Sequence, residues 1–99
     1  MAIDKIIHER VRLLILTHLA SSEKQAVSFG EIQKNLKLTS GNLSIQLKKL
    51  KKAEYIKIQK TFKENKPYTT ATITPKGQNA LNDYIKEMES IINILKTNT

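Results

Sequence analysis

The chain has 99 residues, 39% of them hydrophobic, and a net charge of +8, which describes one domain near the lower end of the size that buries a self-sufficient core. It has no cysteine, which excludes disulfides, thiolate metal sites and Cys nucleophiles and fits a reducing cytoplasm, and no apolar run reaches the ~20 residues that span a bilayer. Residues 34–66 hold ten lysines against Glu54 and Glu64, so they carry the whole excess of charge, while seven basic and seven acidic residues cancel elsewhere. Clustered lysine neutralises phosphates and releases their counterions, which implies a polyanionic partner; a solvated lysine-rich face is the plainer alternative.

Taken in chain order, residues 4–19 predict a helix with a wide apolar stripe. Asp4, Lys5, Glu9, Arg10 and Arg12 interrupt its apolar positions, as in an amphipathic helix rather than a signal peptide. Residues 20–26 are a polar connector. Ser28 and Glu31 make the S-x-x-E capping box of a short helix, 29–36, with Phe29, Ile32 and Leu36 inward, and Val27 forms a stub of strand before it. Lys37-Leu38 is a tight link, and Thr39 is the N-cap of a helix that runs to about Lys52.

The period then becomes alternating over 55–60, with Ile56 and Ile58 on one face. Residues 63–67, KENKP, read as a charged turn, and the β-branched run 69–73 as the returning strand. Thr74-Pro75 starts a last helix, about 75–96, whose Leu81, Tyr84, Met88, Ile91 and Leu95 are spaced 3-4-3-4. The order α-α-α-β-β-α gives a mainly α chain with a small β-hairpin wing, that is, a winged helix-turn-helix occupying residues 1–99 as a single domain.

On a helical wheel Leu43, Leu47 and Leu50 converge, which leaves Gly41, Ile45, Lys48, Lys49 and Lys52 on the opposite side with Asn42 and Ser44 flanking it. Gly41 costs a helix about 1 kcal/mol relative to Ala but lets a backbone approach closely. The helix N-terminus suits a phosphate oxygen, and Thr39, Ser40 and Ser44 add hydroxyls there. Lys48, Lys49 and Lys52 are expected on DNA, on phosphate more than base, with Ile45 against a thymine methyl or simply on the surface. Lys60, Lys63 and Lys66 supply the wing, and the Asn65 amide is a further candidate; Tyr68 is expected to pack beneath it.

Other chemistry finds little support. His8 and His18 fall on different helical faces, about 280° apart, and no Cys accompanies them, so no metal is implied. Neither a nucleophile–base pair nor a phosphate loop is present, so no enzyme and no cofactor are expected. The motif helices are too small to cover both outer stripes, so the first and last helices are expected to pair with a second subunit. Ile3, Ile7 and Leu14 would contribute from the first helix and Leu81, Tyr84, Met88, Ile91 and Leu95 from the last. Paired reading helices about 34 Å apart suit a roughly palindromic site.

The order L-T-x-G-N-L-S at 38–44, Leu47, Leu50, Tyr55-Ile56, Lys60-x-Phe62, Pro67-x-Thr69 and Ile73-Thr74-x-x-Gly77-x-x-Ala80-Leu81 resembles the short winged-helix transcriptional regulators of the MarR/ArsR-like group over nearly the whole chain. The resemblance implies a dimeric regulator binding double-stranded DNA, with the second motif helix, about 39–52, in the major groove and the wing, about 55–73, on adjacent backbone or minor groove. Two positions depart from that pattern. Gln46 stands where the group usually has His, and Glu54 where it favours Gly; a left-handed backbone at Glu54 would cost on the order of 1 kcal/mol. The expected function is therefore a cytoplasmic, sequence-specific transcriptional regulator. A protein-interaction adaptor on an acidic partner and non-specific nucleic-acid packaging are the alternatives, and no residue points to a small-molecule effector.

Overall fold

A computed structural model describes residues 3–97 as α1 (Arg10–Ser21), β1 (Val27–Ser28), α2 (Phe29–Leu36), α3 (Ser40–Lys52), β2 (Ile56–Lys63), β3 (Lys66–Ile73) and α4 (Pro75–Thr97). The strands form one antiparallel sheet in the order β1-β3-β2. This is the expected winged helix-turn-helix, strand stub included. Its core joins Ile15 and Leu16 of α1 to Ile32 of α2, Leu43 and Leu50 of α3, and Val27 of β1, all fully covered.

The first helix is shorter at its start than expected. The Asp4 carboxylate accepts the N–H groups of Ile6 and Ile7 at 2.9 and 3.1 Å and closes a turn of its own. Glu9 is then extended (φ −154°, ψ 133°) and caps α1 by accepting from Val11 and Arg12. Two acidic caps in succession thus divide the segment. The apolar pattern conceals the break because Ile7 is buried all the same.

Ser28 caps α2 by accepting from the Glu31 N–H at 3.1 Å. Only that half of the expected capping box forms, because the Glu31 carboxylate takes the Lys24 ammonium at 2.6 Å. The link to α3 turns on Lys37, which is left-handed (φ 55°), while the Leu38 N–H returns to the Gln33 carbonyl at 3.1 Å, a Schellman-type stop. Thr39 Oγ1 then accepts from the Asn42 N–H at 3.1 Å and opens α3.

The hairpin is longer than its sequence suggests. Lys63 pairs with Lys66 and Phe62 with Pro67, so Glu64 and Asn65 alone connect the strands. Both are left-handed, φ 54° and 63°, the mirror-image turn whose twist matches a tight hairpin. Pro67 is tolerated within β3 because β1 pairs only with Ala71 and Thr70, which leaves β3 an edge strand at Pro67.

The wing root and α4 are locked together. Thr74 Oγ1 accepts from the Gly77 N–H at 3.0 Å and donates to the Glu54 carbonyl at 2.7 Å, and the Thr74 N–H donates to the Tyr55 carbonyl at 3.0 Å. Glu54 itself is left-handed at φ 65°. A Cβ on Gly77 would lie 2.2 Å from the Tyr55 carbonyl oxygen, so only glycine permits this approach. Beyond the buried Leu81 and Tyr84, α4 leaves the body, and residues 91–97 are exposed throughout. The extents of 58 × 25 × 24 Å record that projection.

Candidate nucleic-acid interface

With Leu43, Leu47 and Leu50 buried, α3 shows three further flanks. Its crest carries Gly41, Ile45 and Lys52, and Ile45 is 53% exposed. Nothing lies within 4 Å of a Cβ on Gly41, so no neighbour within the chain requires glycine there. Thr39 satisfies the Asn42 and Leu43 N–H groups through its hydroxyl and carbonyl. The first-turn N–H groups of Ser40 and Gly41 have no intrahelical acceptor, and they lie at the positive end of the helix dipole.

The wing-side flank, Ser44, Lys48 and Lys51, meets Lys60 and Thr69 of the hairpin around a cleft of about 270 Å³, which Phe29, Leu47 and Ile58 also line. Helix and wing therefore share one basic surface. Lys51 belongs to it although the wheel reading left it out; its i, i+7 relation to Ser44 was the available signal.

The opposite flank, Asn42, Gln46 and Lys49, faces the start of α1. Burial pushes the Glu9 carboxyl up, but the N–H donors of Arg12 and Val11, then the charges of Arg12 and Lys49, more than offset this and hold it below the usual value. The charge of Lys49 is thus felt at Glu9 on this side.

Alternation along β2 divides the wing lysines. Lys60 and Phe62 share the face of Ile56 and Ile58, while Lys63 lies on the other face with Lys57. Lys63 and Lys66 stand directly opposite each other at the tip, a like-charge pair that a bound anion would relieve. Lys63 Nζ also lies 5.0 Å from the centre of the half-buried Tyr68 ring. Asn65 is at the turn, where its left-handed conformation serves the hairpin. Phe62 is 77% exposed; it follows the core-facing alternation past the point where the core ends.

The outer-helix positions separate by burial. Ile7 is covered completely and Leu81 and Tyr84 almost so within the chain's own core, which leaves these three little surface for the second subunit they were expected to face. Ile3, Leu14 and Met88 are half-buried, and Ile91 and Leu95 are exposed. The exposed apolar surface of α4 also includes Ile85, Ile92 and Ile94, which the 3-4-3-4 pattern passed over. His8 Nδ1 lies 2.8 Å from the Tyr84 hydroxyl. No helix among the described residues is long and apolar enough to cross a membrane.

A tight helix–turn–helix whose second helix shares a lysine-rich surface with a β-hairpin defines a winged helix built to meet a polyanion. The chain belongs to the winged helix DNA-binding domain family, whose profile matches residues 11–92. This places it among DNA-binding domains rather than enzymes. It is 34% identical over 84 residues to an uncharacterized protein of Methanocaldococcus jannaschii, covering 85% of this chain and 89% of that protein. The structure of a transcriptional regulator homologue from Pyrococcus horikoshii OT3 is similar, with a TM-score of 0.82 and 29% identity over 91% of this chain and 87% of that one. Bacillus subtilis PadR in complex with operator DNA shares the fold, with a TM-score of 0.67 and 22% identity over 78% of this chain and 48% of that chain.

Proposed function

We propose that the protein is a cytoplasmic, homodimeric transcriptional regulator that recognises a specific double-stranded DNA sequence. In this reading α3 enters the major groove, with Gly41, Ile45 and Lys52 deepest and Thr39, Ser40, Asn42 and Ser44 near the base edges or flanking phosphates. Lys48, Lys51 and Lys60 hold one backbone strand across the cleft, Lys49 meets phosphate on the other flank, and Lys63 and Lys66 grip the adjacent backbone or minor groove. The carrying observation is the continuous basic surface of α3 and the wing, on a fold whose family binds DNA. The operator complex of the PadR neighbour supports the same use of the fold.

The dimer rests on α4. Ile91, Ile92, Ile94 and Leu95 are 41% to 64% exposed on its projecting end. Clustered on a helix that leaves the body, such residues gain most by burial against a second copy. Light scattering at micromolar concentration tests this, and a monomer overturns it.

The DNA reading is tested with fragments around the protein's own promoter against random duplex, over a salt series. Tight binding to one fragment with much weaker random binding at the same salt supports a specific regulator. Equal affinity with a steep salt slope makes the protein a packaging factor, and no binding at low salt sinks the DNA reading. Phe62 favours the adaptor as a second reading, because an exposed aromatic beside lysines is the kind of anchor a protein partner uses. Under that reading Phe62→Ala leaves DNA affinity unchanged and abolishes capture of an acidic peptide partner.

A further inference from the structure

Arg12 is the charged side chain found in the core among the described residues. Its Nε donates to the Ile6 carbonyl, and its Nη1 donates to Oε1 of Gln46 at 2.7 Å. Gln46 Nε2 in turn donates to Oδ1 of Asn42, one helical turn back, at 3.1 Å. A chain of polar contacts thus leads from the interior to the first turn of α3.

The direction of that chain is forced. A guanidinium has five N–H donors, no acceptor, and keeps its proton. The Gln46 atom that meets it must therefore be oxygen, which turns the Gln46 nitrogen toward Asn42. The Asn42 atom that receives this nitrogen must then be oxygen, so the Asn42 NH₂ is the group left to face away. The oxygen and nitrogen of an amide are nearly interchangeable in shape; here a buried cation that cannot accept a hydrogen bond sets both orientations.

We propose that Arg12, acting through Gln46, fixes Asn42 as a hydrogen-bond donor on the groove side of α3, and that Asn42 thereby selects guanine at one position of each half-site. The proposal rests on α3 occupying the major groove. Guanine presents two adjacent acceptors there, N7 and O6, which suits an outward NH₂. The usual asparagine–adenine pairing needs the amide oxygen to accept from N6, and here that oxygen is turned toward Gln46. Arg12 and Gln46 are positioning residues, and Asn42 is the reader.

Gln46→Glu tests the relay. A carboxylate at position 46 still accepts from Arg12, so the buried cation keeps its partner. Its other oxygen can only accept, so Asn42 turns its NH₂ inward and its oxygen outward. Selection from randomised duplex should show the guanine preference at one position falling roughly tenfold or more in favour of a base with a donor edge, adenine or cytosine. The other positions keep their preferences, while overall affinity falls with the added negative charge. Asn42→Ala should flatten the same position, and adding Gln46→Glu to it should change nothing further there.

A second measurement needs no DNA. In side-chain amide NMR of the free protein, the Gln46 NH₂ should be protected from solvent exchange and the Asn42 NH₂ open, and Gln46→Glu should protect the Asn42 NH₂. An unchanged Asn42 exchange rate in Gln46→Glu overturns the relay. So does a wild-type protein that selects a site whose preferences survive both substitutions. A wild-type protein with the expected exchange pattern but no selected sequence overturns the reading of α3 as a sequence reader, and the guanine assignment with it.

Discussion

Replacing Gly77 with alanine should lower stability through a single backbone collision. The added Cβ would sit 2.2 Å from the Tyr55 carbonyl oxygen, and ordinary contact begins at 3.4 Å, so α4 and the wing root must part by 3.4 − 2.2 = 1.2 Å. The obstacle is main chain and cannot rotate away. The same displacement stretches the Thr74 N–H bond to Tyr55, 3.0 Å, and the Thr74 hydroxyl bond to Glu54, 2.7 Å. Two such bonds contribute about 2 kcal/mol and the overpacking about 1–3 kcal/mol, while alanine's better helix propensity returns about 1 kcal/mol. The net loss is about 3 kcal/mol, or roughly 12–24 °C in melting temperature for a domain of this size. Far-UV circular dichroism during heating reads it directly. Gly30→Ala and Gly41→Ala are the controls, since a Cβ at either meets nothing within 4 Å; each should be unchanged or up to about 1 kcal/mol more stable. If Gly77→Ala melts within about 2 °C of wild type, or the three variants behave alike, the close approach is not what requires glycine.

Other perturbations separate the remaining contributions. Glu64→Gly relieves a left-handed residue at φ 54°, and urea unfolding should show a gain of about 0.5–1 kcal/mol, the relieved strain less the added freedom of the unfolded chain. Burial, then the hydrogen bond to Asp4 and its charge, raise the Tyr55 hydroxyl from 10.0 to about 12. Because the folded value lies above the unfolded one, its contribution is complete below pH 10 and declines as pH rises toward 12. Unfolding of Tyr55→Phe across that window should lack this decline, and a parallel decline in both proteins refutes the assignment. Lys48→Ala and Lys51→Ala should each reduce the salt slope of DNA binding by about 1, and Lys86→Ala on α4 should not. Leu95→Glu, at a 64% exposed position, should leave the melting of secondary structure intact while converting the light-scattering mass from dimer to monomer.

The fold was legible because each helix announces itself twice, by apolar period and by cap. Ser28, Thr39 and Thr74 all cap where their sequence places them. The break at Glu9 was not legible, since Ile7 stays on the apolar stripe across it. The hairpin was underestimated because its distal residues have no core to pack on, so alternation in hydrophobicity fades at Lys60 while the hydrogen-bonded ladder continues to Lys63. Departure of Glu54 from glycine flagged a left-handed residue, and φ 65° is what the backbone adopts. At the candidate interface the lysine face of α3 could be drawn on a wheel, but Lys49 beside Glu9, and Arg12 bonded to Gln46 from 34 residues away, depend on how α1 crosses α3. No local pattern encodes that crossing.

The contact between Gly77 and Tyr55 has a mechanical consequence. With no side chain between them and hydrogen bonds on either side, the start of α4 and the root of the wing have no slack and turn as one piece. The far end of α4 lies about 30 Å away along the helix axis, so α4 is a lever with its fulcrum under the wing. A tilt of about 10° at the fulcrum moves the far end by roughly 5 Å, and a displacement imposed on that end returns to the wing as the same rotation. Whatever holds the exposed end of α4 therefore sets the angle at which the wing is presented.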